Sequence, residues 1–373
     1  MNVLSLFDGM SCGQIALNRA GIEYTNYYAS EIDKYAVKVS SDNFPNTIHL
    51  GDVTQVKAEN LPKIDLLIGG SPCQGFSIAG KQLNFDDPRS ALFFEYVRLL
   101  KELKPKYFLL ENVVMKREFQ DIITEHLGVR PIKINSSVVS AQSRNRLYWT
   151  NIPIEPIERK DIYLKDILEK NVPSKYYLSE KLVQGFLDKK SSWKNSFKPL
   201  TEEDKASCLT ARYYKTAASD PYILEKPLRV GNLNSGGQGD RIYSVEAKSV
   251  CLSALGGGRG AKTGLYLVQD DSEEVCFNYS SSGRGNGVVE SRINEADKSN
   301  TLTASGFSNR SFTGVYYTNQ GIRKLTPLEC KRLQTVPDDY KMEVSDTQAY
   351  KMLGNGWTVD VIAHIFKGMK NND

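Results

Sequence analysis

A cysteine and four acids stand where short apolar runs end. In Ser71-Pro72-Cys73-Gln74-Gly75-Phe76-Ser77 the cysteine follows a buried run, in a loop shaped by Pro, Gln and Gly. A thiolate there is placed for nucleophilic attack. Glu111-Asn112-Val113 closes the next run. A lone Glu at a strand end is readily solvated, but a Cys and a Glu at neighbouring ends pair a nucleophile with an acid. Phe7-Asp8-Gly9-Met10-Ser11-Cys12-Gly13 follows the first run, where glycines let backbone N–H groups approach a ligand. Glu31 ends the second run, the place for an acid that binds ribose hydroxyls. The match to G-x-G-x-x-G is poor, so a nucleotide site, a dinucleotide oxidoreductase among its forms, and an ordinary strand-to-helix turn both stay open.

The elements that position these groups alternate. Strand signals at Val3–Phe7, Tyr27–Ser30, Ile64–Ile68 and Tyr107–Leu110 are interleaved with helical ones at Gln14–Ala20, Lys34–Ser40 and Ser90–Leu103. This predicts an α/β fold with a parallel sheet covered by helices, and ligands beyond the carboxyl ends of the strands. Asp8, Gly9, Glu31, Asp52, Pro72, Cys73, Glu111 and Asn112 all fall at those ends.

Composition narrows the class. Of 373 residues 40% are hydrophobic and 25% charged, which excludes disorder and collagen as the main architecture. The net charge of +4 is too small to argue for nucleic acid by itself, though it allows a local basic face. No apolar run is long enough to span a membrane, and the N-terminus reads as a strand and loop rather than a signal peptide. The cysteines, Cys12, Cys73, Cys208, Cys251, Cys276 and Cys330, form no CxxC, and His49, His126 and His364 lie far apart. No metal site and a reducing cytoplasm are expected.

Residues 200–320 are rich in Gly, Ser, Thr, Asn and Tyr. Asp204–Ala211 returns weakly as Ala247–Ala254 and Asp297–Ala304, each copy reading as strand, loop, strand. Helix signals resume at Thr326–Leu333, and Val359–Met369 is expected to pack back on the first domain.

Together these motifs resemble the cytosine-5 DNA methyltransferase family. Phe7–Gly13 resembles its first motif, Pro72-Cys73-Gln74 its catalytic loop, and Asp87-Pro88-Arg89-Ser90-Ala91-Leu92-Phe93 the motif after it. Glu111-Asn112-Val113, Gln142-Ser143-Arg144-Asn145-Arg146, Arg323–Pro327 with Arg332-Leu333-Gln334, and Gly354-Asn355 follow in family order. Asp8 and Ser11 depart from the usual Phe-Ala-Gly-x-Gly, which touches the detail of the cofactor loop. The loop lacks the Pro-Pro-Cys and Cys-Phe-Thr signatures of the tRNA-methylating branch, and retention of Cys73 and Glu111 speaks against a non-catalytic paralogue.

The resemblance implies a Rossmann-like S-adenosylmethionine-dependent methyltransferase domain with a smaller β-rich target-recognition domain. It implies methylation of C5 of a flipped-out cytosine in a specific duplex DNA sequence. Cys73 would be the nucleophile and Glu111 a carboxylic acid at N3, its proton retained in a pocket that excludes water. Arg144 would anchor the base O2 and Arg146 support the loop. Phe7, Gly9, Ser11, Cys12, Gly13, Glu31, Ile32, Asp52, Val53, Pro72 and Asn355 would form the cofactor site, with Glu31 on the ribose and Asp52 on the adenine amino group. Gln74 and Ser77, with Arg212, Arg259 and Arg310 from the repeat loops, would touch DNA. Domain limits follow: 1–165 and 350–373 catalytic, 166–349 target recognition. A monomer in a bacterial nucleoid or phage-infected cell is expected, serving restriction-modification or phage protection, with a cognate restriction enzyme left open.

Overall fold

The computed structural model describes residues 1–71, 88–187, 197–225, 229–232, 241–244, 265–267, 279–280, 311–312 and 321–370. The first part alternates as the sequence predicts: β1 (Asn2–Leu6), α1 (Cys12–Ala20), β2 (Asn26–Ser30), α2 (Lys34–Asn43), β3 (Ile48–His49), β4 (Leu66–Gly69), α3 (Pro88–Leu103), β5 (Tyr107–Val113), α4 (Arg117–Leu127), β6 (Ile132–Asn135) and β7 (Asn145–Thr150). Gly21, at φ 65°, stops α1 with a left-handed cap that a side chain would resist.

These strands form one seven-stranded sheet in the order β3-β2-β1-β4-β5-β7-β6. Its strands read as near-continuous apolar runs because both faces are buried. Side chains alternate between two cores. Val3, Leu66, Ile68, Leu109 and Tyr148 face one core with residues of α1 and α2. Leu4, Leu6, Leu67, Phe108, Leu110, Leu147 and Trp149 face the other with residues of α3 and α4. Strand order reverses at β1, which pairs with β2 on one side and β4 on the other, and this opens a crevice beyond their carboxyl ends.

Two expectations change here. The sheet is mixed, because β7 runs antiparallel to both β5 and β6. β5 also continues to Val113, so Glu111 and Asn112 lie inside the strand, paired with Tyr148 and Leu147. Direction is set by how a strand connects in space, which its composition does not record.

Downstream follow α5 (Glu180–Leu187), β8 (Tyr222–Glu225), β9 (Arg229–Asn232), β10 (Arg241–Ser244), β11 (Leu265–Leu267), β12 (Tyr279–Ser280), β13 (Ser311–Phe312) and β14 (Gly321–Lys324), then α6 (Pro327–Leu333), α7 (Asp346–Asn355) and α8 (Val359–Lys367). Thr326 caps α6 reciprocally with Glu329. The apolar face of α8 returns to α1 as the sequence predicts, completing the first core with Val361, Ile362, Ile365 and Phe366.

The chain divides into two compact units. One holds Met1–Tyr176, Phe186–Ile223 and Lys324–Asp373, the other Tyr177–Gly185 and Leu224–Arg323. Their limits differ from those drawn on the sequence, since residues 197–223 and the α6–α7 region join the first unit. In the second, β10 pairs antiparallel with β9 and parallel with β11, and β12 pairs with β13. The first repeat copy, Asp204–Ala211, belongs to the first unit, where Ala206 bridges Gln142 and no strand, loop, strand unit forms. The other two copies lie outside the described residues.

Candidate active site

The loop leaving β1 is held in an uncommon backbone shape. Phe7, Gly9 and Ser11 all take left-handed φ, at 58°, 60° and 58°. For Phe7 and Ser11 this costs about 1–2 kcal/mol each, so surrounding bonds must impose it. The Asp8 N–H donates to Ser30 O at 3.1 Å and the Ser11 N–H to Asp8 O at 3.2 Å. Nothing lies within 4 Å of where a Cβ on Gly9 would stand, so the loop's surface there is open for a ligand. Gly13 serves otherwise: a Cβ there would meet Ile68 Cδ1 at 2.5 Å and Tyr27 Oη at 2.6 Å. It lets α1 lie close to the sheet.

Asp8 and Ser11, the two departures from the family pattern, form one polar knot. Tyr27 Oη donates to Asp8 Oδ1 at 2.7 Å, the Ser11 hydroxyl bonds the other carboxyl oxygen, and Ser40 Oγ meets Ser11 Oγ at 2.7 Å. Burial pushes the Asp8 pKa up, against the pull of the Ser11, Ser5 and Tyr27 hydroxyls. Cys12 is buried, and desolvation pushes its thiol up to about 12. Its place in the site is therefore as an apolar wall.

Glu31 gathers three backbone amides: Gly9 N–H donates to Oε2, and Ile32 and Asp33 N–H donate to Oε1, each at 2.8 Å. It thereby ties the β1 loop to the end of β2. Ile32 beside it is 77% exposed, an apolar surface left bare at the rim of a crevice. Asp52 is exposed, and its Oδ1 accepts from the N–H and the hydroxyl of Thr54 at 2.9 Å. Ser30 Oγ donates to Gly51 O at 2.8 Å and joins that loop to β2, while Val53 is buried. Asn355 is exposed at the end of α7, and the Lys351–Asp33 ion pair, at 2.6 Å, ties α7 to the start of α2.

Where the end of β5 pairs with the start of β7 sits a second cluster. Arg146 Nε lies 2.9 Å from Glu111 Oε1, and Trp357 Nε1 donates to Glu111 Oε2 at 3.2 Å. Burial works against the Arg146 charge, but Glu111, Cys208 and Tyr148 outweigh it and raise its pKa. Asn112 Nδ2 donates to Ser71 Oγ at 3.3 Å, fixing the residue from which the chain departs toward Cys73. Pro72, Cys73, Gln74 and Ser77 lie outside the described residues, as do Arg259 and Arg310. Arg212 is exposed, two residues past Thr210, whose backbone packs on Gly354.

The two arginines of the Gln-x-Arg-x-Arg motif differ from their expected parts. Arg144 is 2% exposed, and its guanidinium donates to Leu209 O at 2.9 Å, Gly354 O at 3.1 Å and Gly356 O at 2.9 Å. A group so committed ties the 205–211 segment to the end of α7. Arg146 is the arginine that reaches Glu111. The register explains this: Arg146 lies in β7 opposite Val113, on the face of Tyr148, which pairs with Glu111, whereas Arg144 precedes the strand. Reading the motif alone also passed over Trp357, which follows the Gly354-Asn355 signature as an aromatic with an N–H donor. A cavity of about 700 Å³ opens elsewhere, among Gln14, Asn18, Tyr24, Asn43 and Phe44, and touches Tyr27 of the Asp8 knot but not Glu31, Asp52, Glu111 or Arg146. Among the described residues no group of acids, cysteines and histidines could hold a metal, and no helix is long and apolar enough to cross a membrane.

Comparison with known proteins agrees on one relationship. The family described as C-5 cytosine-specific DNA methylase matches residues 1–371. The orphan methyltransferase M.SPRI of Bacillus phage SPR is 30% identical, over 98% of this chain and 97% of that protein. The type II methyltransferase M.HhaI of Haemophilus parahaemolyticus is 28% identical, over 98% and 93%. Among solved structures, the Entamoeba histolytica methyltransferase EhMeth shares the fold at a TM-score of 0.65 and 17% identity, covering 100% of this chain and 98% of that one.

Proposed function

The chain belongs to the C-5 cytosine-specific DNA methylase family, and from that premise we propose how its residues divide the work. The enzyme has a Rossmann-like methyltransferase fold and transfers a methyl group from S-adenosylmethionine to C5 of cytosine in double-stranded DNA. S-adenosylmethionine supplies an electrophilic methyl group on a sulfonium. Phe7, Gly9 and Ser11 shape the loop that receives it, Gly13 seats α1 close behind that loop, Glu31 holds its ribose and Asp52 its adenine amino group. Ile32 and Val53 offer the ring an apolar surface, and Pro72, Cys12 and Asn355 close the site.

Cytosine C5 is a feeble nucleophile. Cys73 adds as a thiolate at C6, and the displaced electron pair moves onto N3, leaving C5 as an enamine carbon. Glu111 delivers a proton to N3, so it acts as a carboxylic acid when the base arrives. Arg146, in place of Arg144, reaches the base O2, because a guanidinium has five donors and the Glu111 contact spends only some of them. After methylation a base removes the C5 proton, Cys73 leaves, and the N3 proton returns to Glu111. The cytosine must first leave the duplex stack, at a cost of about a few kcal/mol. The observation that carries this reading is the Glu111–Arg146–Trp357 cluster, set beside Ser71 at the mouth of the Pro-Cys loop.

The second unit, with Arg259 and Arg310, reads the target sequence, and Gln74 and Ser77 meet the DNA at the catalytic loop. Arg212 contacts DNA from the first unit. The protein acts as a monomer in the bacterial cytoplasm or a phage-infected cell, for restriction-modification or phage protection. Bisulfite sequencing of host DNA after expression tests the activity. Fully converted cytosines at every site, against a Cys73→Ala control, would overturn it, and a protected motif would give the target.

A further inference from the structure

Glu111 carries one donor on each oxygen, Arg146 Nε on Oε1 and Trp357 Nε1 on Oε2. Held at both ends, its carboxyl plane cannot swing. Trp357 is itself fixed by what surrounds it. Its backbone N–H meets the Cys12 sulfur, and Gly356 O accepts from Arg144 Nη2 at 2.9 Å. On the other side Thr358 Oγ1 donates to Gln334 Oε1 at 3.0 Å and accepts from Ser136 Oγ at 2.8 Å. Gly70 leaves the room for this pair: a Cβ there would lie 3.0 Å from Trp357 Nε1 and 3.1 Å from Glu111 Oε2. Trp357 thus meets Cys12 through its backbone N–H and Glu111 through its indole N–H.

We infer that Trp357 is a positioning residue for methyl transfer, whose indole N–H aims the Glu111 carboxyl at the flipped cytosine. The inference rests on the reading of Glu111 as the group that serves N3. Trp357 contributes through Glu111, so its loss slows the chemical step and leaves both ligands bound as before. A small misplacement of a reacting group is enough to slow a step by tenfold or more.

The test uses Trp357→Phe, which keeps an aromatic ring and removes only the donor. Single-turnover methyl transfer is followed with enzyme saturated by S-adenosylmethionine and a duplex carrying the site mapped by bisulfite sequencing. A rate lowered about tenfold, with unchanged affinities for cofactor and duplex and an unchanged unfolding midpoint, is the expected result. A wild-type rate overturns the inference. So does a loss of rate matched by loss of cofactor affinity or of the folded state, which would make Trp357 a packing residue. Gly70→Ala, just past β4, presses on the indole Nε1 and Glu111 Oε2 while the donor itself is kept, and the same split between rate and affinity is expected. A wild-type rate in that variant also counts against the inference. Glu111→Gln is the control: if it transfers methyl groups at the wild-type rate, the reading of Glu111 itself falls.

Discussion

Arg146 Nε approaches Glu111 Oε1 to 2.9 Å diagonally across the β5–β7 pair, two residues along β7 from Tyr148, the direct partner of Glu111. Two residues earlier, Arg144 points into the protein and bonds three backbone carbonyls. One motif therefore holds an arginine paired with Glu111 and another bonded to the backbone. Arg146→Ala should lose methyl transfer by about a hundredfold and keep its unfolding midpoint. Arg144→Ala leaves buried carbonyls unpaired and should lose about 3 kcal/mol of stability. Urea denaturation beside a transfer assay separates the two, and equal stability losses would contradict the division.

Cys73 should be trapped by DNA carrying 5-fluorocytosine at the target. Fluorine at C5 cannot leave as a proton does, so the covalent complex persists. Cys73→Ala should lose both the complex on denaturing gels and methylation. Methylation surviving in that variant would exclude Cys73 as the nucleophile.

The cofactor carboxylates should differ in what they take with them. Glu31→Ala and Asp52→Ala should each weaken S-adenosylmethionine binding by about 1–3 kcal/mol. Glu31→Ala also releases the Gly9, Ile32 and Asp33 amides, so its loss should be the larger and should raise protease sensitivity of the loop. Calorimetry showing unchanged affinity in both variants would move the cofactor elsewhere.

Cys12 gives a pH signature. Its folded pKa is pushed up to about 12 from an ordinary 9.0, with burial the largest cause. The folded state therefore keeps the thiol neutral while the unfolded chain ionises it. The stability this contributes is whole below about pH 9 and is lost as pH rises toward 12. Iodoacetamide at pH 8 should leave Cys12 unlabelled in the folded enzyme. Cys12→Ala should lose less of its urea midpoint above pH 9 than wild type, and parallel curves would refute the assignment.

The three recognition arginines should not behave alike. Arg212 belongs to the first unit and is exposed, so Arg212→Ala should weaken all duplexes equally and lower the salt slope by about 1. Arg259 follows three glycines that allow close backbone approach, and Arg259→Ala should relax specificity by about 1–3 kcal/mol at one base pair. Arg310→Ala should follow one pattern or the other. Titrations on matched and mismatched duplexes at two salt concentrations decide, and three silent variants would place recognition elsewhere in the second unit.

The sequence by itself determined the alternation of strands and helices, the stop at Gly21, the return of α8 and the family. These depend on local periodicity, on backbone freedom at single residues and on motifs in fixed order, all written along the chain. Tertiary structure decided what depends on direction and on meetings between distant segments. β7 runs antiparallel, which brings Arg146, and not Arg144, to Glu111. Asp204–Ala211 looks like a repeat copy, yet its backbone bonds to the segment before β7. Trp357 reaches Glu111 from the far end of the chain because α7 ends beside the cofactor loop. A hydrogen bond between residues so far apart in sequence leaves no periodic trace in either segment, so only the folded chain discloses it.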